Sequence, residues 1–589
     1  MFDASTSPRP TLSRRPLAWL RGRLRSSEIW FIALAVIVGA AAGLVSVLQS
    51  VIAHGLQSYL YGFAIDDRLS ALPTVPAIAL LWLPSGGLLL GGLTWAASKW
   101  RPRQLIDVVE ANALYGGLLS FRDSLVVCAQ TLVSNGFGAS VGLEAAYAQA
   151  GGAIASGLGQ RLKLRRHDLR TLVGAGAGAA IAAAFGAPLT GAFYAFEIVI
   201  GTYAPSMIAP VAAAALASVL VARLMGVAPY SIQIVVLQPP GALDYVLYAG
   251  LGLICAAVGI AIMRLVGTAE RLVRLTKIPA WMRPAVGGGL LASLAYLSPQ
   301  TLSSGHGALH ADLATTLSLG ALAAILLLKT SASVVSLGFG FRGGLFFASL
   351  FLGSLVGQIY ARLVELTGLP LLLHPENAAL VGMGALAVSI VGGPLTMSFL
   401  VLETTRDFGV SAATLAASLI ASTVVRERFG YSFSTWRLHL RGETIRSARD
   451  VGWIRTLTAG RMMRPDTATI AGSATLAEFQ RRFPLGSTSR VILLDDAQRY
   501  AGIVLTSSAY LDGPKVDSPI STLATSADIA LSADMNIEQV MQTFDRTETE
   551  ELAVTDEAGK VLGLLAELYV ARRYAKELEK VQQGLFGET

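Results

Sequence analysis

The sequence predicts an all-α polytopic membrane domain with an inverted internal repeat and broken helices, followed by a soluble α/β pair. Three observations carry that prediction. Apolar residues fill 53% of the 589 positions and charged residues only 14%, with a mean hydropathy of +0.57. Soluble domains carry roughly 25% charge, so this chain has too little polar surface to face water on all sides. A glycine-rich signature occurs twice in the apolar part. Beyond Gly442 the long apolar runs stop, and short strand-forming and helix-forming runs alternate.

Residues 1–27 form a basic arm in which Arg9, Arg14, Arg15, Arg21, Arg23 and Arg25 precede the first apolar run. By the positive-inside rule this places the N-terminus in the cytoplasm; the alternative, an arm recognising nucleic acid or lipid, is the weaker reading, and no nucleic-acid partner is expected. The apolar run Ile29 to Val51 lies in residues 29–53, a segment too long for a signal-peptide core and without an obvious cleavage site, so it is expected to stay as a span. Further runs near the roughly 20 residues of a spanning helix are Ala77 to Ala97, Val246 to Val266 and Leu313 to Leu328, among at least a dozen apolar segments. Residues 1–442 carry 30 Lys/Arg and 18 Asp/Glu, a net +12, against 16 and 21, a net −5, in residues 443–589. The two cysteines, Cys128 and Cys255, lie in apolar stretches and read as packing residues; the six histidines show no metal-ligand spacing, with His306 expected in a loop.

Gly136-Phe-Gly138-Ala-Ser-Val-Gly142-Leu-Glu144-Ala-Ala146 recurs as Gly338-Phe-Gly340-Phe-Arg-Gly-Gly344-Leu-Phe346-Phe-Ala348, at an offset of 202. A second block follows each: Gly186-Ala-Pro188-Leu-Thr190 with Glu197, and Gly392-Gly-Pro394-Leu-Thr396 with Glu403, at an offset of 206. The order predicts two structural halves, about residues 76–225 and 246–442, with a binding site between them. Irregular backbone at membrane depth survives only where protein or a cavity surrounds it, so the glycine blocks predict broken helices whose free N–H groups and positive dipole ends face an anion. Glycines that merely allow close helix packing are the competing explanation. Glu144 then stands at a helix start inside the membrane, where burial penalises its charge and the helix end favours it. Such a group fills an anion site when ionised and leaves it when protonated, unless it is simply a structural cap. Glu197 and Glu403 are expected to be structural, each closing a helix through backbone hydrogen bonds.

These blocks resemble the CLC family of chloride channels and chloride/proton antiporters over about residues 28–442. The family's G-R/K-E-G-P motif appears as Gly142-Leu143-Glu144-Ala145-Ala146, its F-N-A-P-L-A-G as Phe185 to Gly191, and its G-x-F-x-P as Gly344-Leu345-Phe346-Phe347-Ala348. The resemblance implies Glu144 as gating glutamate and an anion held by Gly142, Leu143, Gly344, Leu345, Phe346 and Phe347. The family's serine-bearing G-S-G-I-P loop aligns with Pro102 to Ile106, which puts Arg103 and Gln104 at the anion; Arg103 either lines the pathway or turns to the cytoplasm. The antiporters' internal proton glutamate aligns with Ile198, which carries no proton. The inner tyrosine aligns with Ser434, and Tyr431 is its nearest substitute. The resemblance implies a homodimer in the bacterial inner membrane with both termini cytoplasmic, passing chloride or a similar small anion in a channel-like or loosely coupled manner, with chloride/proton antiport as the alternative.

After a linker at 443–455, residues 456–575 hold two similar units, Leu457 to Leu505 and Pro519 to Leu565, and a charged tail follows at 576–589. They resemble a tandem CBS pair, which in relatives binds adenine nucleotides; Glu567 is the acid nearest the ribose position. No cofactor is otherwise required. A membrane-anchored CBS nucleotide sensor is a further alternative, and no enzyme is expected, because no nucleophile, metal or paired-acid arrangement is present.

Overall fold

The computed structural model describes residues 23, 27–100, 105–232, 240–367, 373–440, 457–511 and 517–573. The basic arm apart from Arg23 and Ser27, the 443–455 linker, the 576–589 tail, Arg103 and Gln104 therefore lie outside the described residues. The chain divides into two compact units, Met1–Asp450 and Val451–Thr589.

In the first unit α1 (Glu28–Tyr61), α2 (Trp82–Trp100), α3 (Val108–Leu114), α4 (Phe121–Gly136), α5 (Glu144–Arg161), α6 (Arg166–Phe185), α7 (Pro188–Tyr194, continued as a π-helical turn to Ile200) and α8 (Pro205–Leu224) form one series. A second series follows in the same order: α9 (Ala242–Leu275), α10 (Arg283–Leu297), α11 (His306–Leu313), α12 (Leu319–Gly338), α13 (Phe346–Leu366), α14 (Pro375–Val391), α15 (Pro394–Thr405) and α16 (Phe408–Arg428), closed by α17 (Phe433–Leu440). Among the described residues, eight helices are long and apolar enough to cross a membrane.

The repeat begins earlier than residue 76. α1 and α9 are both 34 residues long, and α1 packs on α6 and α8 as α9 packs on α14 and α16. Neither helix carries a glycine signature, which is why the sequence blocks miss this pair. Gly39 lies against Ala214 and Gly43 against Ser218, a register that makes α1 and α8 parallel. Gly87 lies against Pro284, Gly91 against Trp281 and Gly288 against Leu83, so the counterpart helices α2 and α10 are antiparallel and the second series runs opposite to the first. Small residues at these crossings let backbones meet, as membrane packing requires.

Two expectations change. The run Leu313 to Leu328 is not one span: α11 ends at Leu313, and α12 starts at Leu319 behind Ser318, whose side chain accepts the Ala321 N–H. Polar Thr315, Thr316 and Ser318 end the apolar pattern there. His306 opens α11 instead of lying in a loop, because Gly305 turns at φ +100° and the Ser70 hydroxyl accepts the Gly307 and Ala308 N–H groups from another element. Cys128 and Cys255 are buried free thiols.

The second unit opens with α18 (Ala459–Met462), then β1 (Thr469–Ala471), α19 (Leu476–Arg482), β2 (Arg490–Leu494), β3 (Tyr500–Leu505), β4 (Leu531–Ser532), α20 (Ile537–Thr547), β5 (Glu551–Thr555) and β6 (Val561–Ala566). Each three-stranded sheet pairs its first two strands parallel and its last two antiparallel. The sheets are copies at an offset of 61, and Arg499 pairs with Lys560, its own counterpart. Ile492, Ile503, Ala553 and Leu564 form a shared apolar core between them.

Candidate functional site

Both glycine blocks terminate one helix and launch another. α4 ends before Gly138 at φ +91°, α12 before Gly340 at φ +95°, a left-handed turn that favours glycine. The launched helices, α5 and α13, have leucine N-caps, Leu143 and Leu345, without side-chain cap bonds. Their first-turn N–H groups are thus left for another partner.

The two loops meet at a local twofold. Gly142 N–H donates to the Gly344 carbonyl at 2.9 Å and Gly344 N–H to the Gly142 carbonyl at 3.4 Å. Ser134 Oγ accepts from the Arg342 N–H at 2.9 Å and Ser336 Oγ from the Ser140 N–H at 3.0 Å, and both pairs are related by the 202 offset. Glu403 accepts from Leu189 N–H, Thr190 N–H and the Thr190 hydroxyl. Glu197 accepts from Leu395 N–H, Thr396 N–H and the Thr396 hydroxyl. Each carboxylate thus closes a helix of the opposite repeat.

Glu144 lies at the centre of this arrangement and is 3% exposed. Its carboxylate lies within electrostatic reach of its own N–H and of the Phe347 N–H of the other repeat, while Oε2 has no hydrogen-bond partner among the described residues. A methyl group on Gly142 would meet that oxygen at 1.9 Å, so glycine is what lets the side chain fold into the junction. Phe346 packs beside Phe185 and Tyr194 with ring centroids 5.4 and 6.2 Å away. The structure therefore brings together Gly142, Leu143, Glu144, Gly344, Leu345, Phe346 and Phe347.

Cavities approach this junction from two directions. One of about 340 Å³, near the C-terminal end of α1, is lined by Leu143, Glu144 and Tyr147. On the other approach, a space of about 100 Å³ touches Ala145, Gly343, Gly344 and Ser434, and Ser434 also lines a cavity of about 190 Å³ with Glu197, Ile198 and Tyr431. Tyr431 does not reach the helix starts; its hydroxyl pairs with His439 Nδ1 at 3.1 Å, and the Ser434 position is the one beside Gly344. Arg342 and Arg437 line the 100 Å³ space, two cations that the sequence reading did not select. The signal was present for one of them: Arg342 replaces the small Ser140 of the first copy. Glu567 follows β6 in the second unit as an exposed residue, its N–H donating to the Glu550 carbonyl.

A family model described as voltage gated chloride channel matches residues 86–426, more than half of the chain. The chain belongs to this family, the CLC proteins. It is 30% identical over 404 residues to a protein of Ralstonia nicotianae described as chloride channel ClcB-like, covering 64% of this chain and 90% of that one. Among solved structures, a slow cyanobacterial Cl−/H+ antiporter aligns at 21% identity and TM-score 0.61, over 70% of this chain and 97% of that one. A CLC-type fluoride/proton antiporter aligns at 21% identity and TM-score 0.57, over 69% and 97%. At this identity the solved structures establish the fold. The chain is an integral membrane protein of CLC-type anion transport.

Proposed function

We propose that each chain moves chloride or a similar small monovalent anion along its own path, and that the Glu144 carboxylate is the gate. One observation carries this reading: the charge of Glu144 sits where the N–H groups of two opposed helix starts converge. Peptide donors and helix dipoles at such a place attract any small anion. A permeating anion and the ionised side chain therefore compete for the same donors. Protonation or displacement of the side chain frees the junction, and the anion passes between the cavities.

A second titratable group on the other approach would give a proton its own route, although some antiporters lack one. Ile198 lines that cavity, and the neighbouring Glu197 carboxylate is occupied by three donors of the opposite repeat. This favours a channel-like or loosely coupled pathway. Strict exchange of anion for proton is the second reading, supported by the likeness to solved antiporters. The reversal potential in planar bilayers separates them: no shift with a pH gradient at fixed chloride supports the channel-like form, and a shift set by both gradients replaces it with exchange. Efflux from liposomes tested with chloride, nitrate and fluoride assigns the anion, and absence of all three fluxes would end the transport reading.

The remaining assignments belong to the same proposal. The chain works as a homodimer in the bacterial inner membrane with both termini cytoplasmic. The duplicated second unit is a tandem CBS pair that takes an adenine nucleotide, with Glu567 at the ribose. Titration of the intact protein with ATP tests it, and loss of the signal in Glu567→Ala is the expected result.

A further inference from the structure

The approach on the Glu144 side is more than a passage. Its cavity of about 340 Å³ is lined by Arg68, His54, Tyr230, Tyr147 and His310, and Glu144 is the one carboxylate among its described lining residues. Arg68 stands on the segment between α1 and α2, fixed there by Ser70, which accepts two backbone N–H groups of α11. Arg68 lines this chamber together with Tyr147, Tyr230, His54 and His310, so its guanidinium charge faces the same space as their rings. Among the described residues the buried Tyr230 hydroxyl has no hydrogen-bond partner, whereas most buried hydroxyls are paired. Its ring is held by Phe347 and His310, with centroids 5.6 and 5.0 Å away.

We propose that Arg68 and Tyr230 form an anion-capture site in this chamber, in front of the gate and distinct from the helix-start junction. Its ligand is a small monovalent inorganic anion, paired with the guanidinium and hydrogen-bonded by the phenol. The proposal rests on the transport reading above and adds a place where the anion waits. Holding an anion beside Glu144 raises its local concentration and so favours displacement of the carboxylate.

Two measurements on the full chain test it. In planar bilayers, Arg68→Gln raises the half-saturating chloride concentration about tenfold at low ionic strength and Tyr230→Phe about threefold, only for chloride presented on the Arg68 face and with maximal current unchanged. Inert salt shrinks the first effect and spares the second. An unchanged value, or an equal rise from both faces, overturns the site. In crystals soaked with bromide, anomalous density is expected within hydrogen-bond reach of Arg68 and Tyr230 and is lost in Arg68→Gln. Density confined to the helix starts also overturns the site. If the wild-type protein passes no anion, the transport reading fails, and the bromide result still decides the capture site.

Discussion

Removing one crossed carboxylate clamp should destabilise the membrane unit by an amount set by three hydrogen bonds. In Glu403→Ala the donors at Leu189 N, Thr190 N and Thr190 Oγ lose an acceptor that now sits 2.9, 2.8 and 2.7 Å away. Bonds to a charged acceptor are worth about 1.5–3 kcal/mol when buried; Leu189 is exposed and Glu403 only half-buried, so about 1 kcal/mol each is the fitting scale. The loss is then about 3 kcal/mol, or a fall of roughly 3–6 °C in the unfolding midpoint for a unit of this size. Glu197→Ala breaks the counterpart bonds at 3.1, 2.8 and 2.7 Å and should cost a similar amount. Thermal unfolding of the detergent-solubilised protein, followed by intrinsic fluorescence, measures both. A loss below about 0.5 kcal/mol in either variant, or a large cost in one and none in the other, would refute the twofold clamp.

Other perturbations have definite outcomes. Gly142→Ala forces the Glu144 carboxylate out, since the new methyl would lie 1.9 Å from Oε2; flux in this variant should no longer change when Glu144→Gln is added, and a retained difference would contradict the gate geometry. Lys329 is fully buried and donates to the carbonyls of Thr301, Leu302 and Ser303, so Lys329→Met should loosen that segment by about 2 kcal/mol, read as faster hydrogen exchange over residues 301–305. In the second unit, Asp495 accepts from the Arg499 N–H, Ala497 N–H and Arg499 Nε, and these bonds, the Arg499 backbone donor first, hold its carboxyl below the ordinary range. A carboxyl depressed in the folded state stabilises above its unfolded value of about 3.9 and ceases to do so as pH falls through the folded value. Asp495→Asn should therefore weaken exchange protection of the 495–499 turn at pH 7, and the difference from wild type should narrow on acidification.

What could be read from the sequence was what repeats at fixed spacing. The Gly136 and Gly338 blocks marked both broken helices, and the Glu197 and Glu403 blocks marked both clamps, because backbone that must turn sharply or be capped leaves a residue-specific trace. The sequence could not tell that each clamp closes a helix of the other repeat, since a carboxylate at a fixed spacing is silent about its partner. α1 and α9 escaped notice as a pair because membrane contact asks only for small or apolar residues. The break at residues 314–318 was hidden by an apolar average. Arg342 was overlooked because the matching positions of its block drew attention away from the position that differed. In the second unit the two sheets were visible as similar units because strand patterns, unlike membrane spans, alternate between faces.

The central claim is that one carboxylate competes with the permeating anion for the donors of two opposed helix starts. Chloride efflux from liposomes, measured side by side for wild type and Glu144→Gln over a range of pH, tests it most directly. A neutral amide cannot vacate the junction by protonation, so the account predicts that wild-type flux rises as pH falls and that Glu144→Gln flux is independent of pH. Equal pH dependence in both proteins would contradict it.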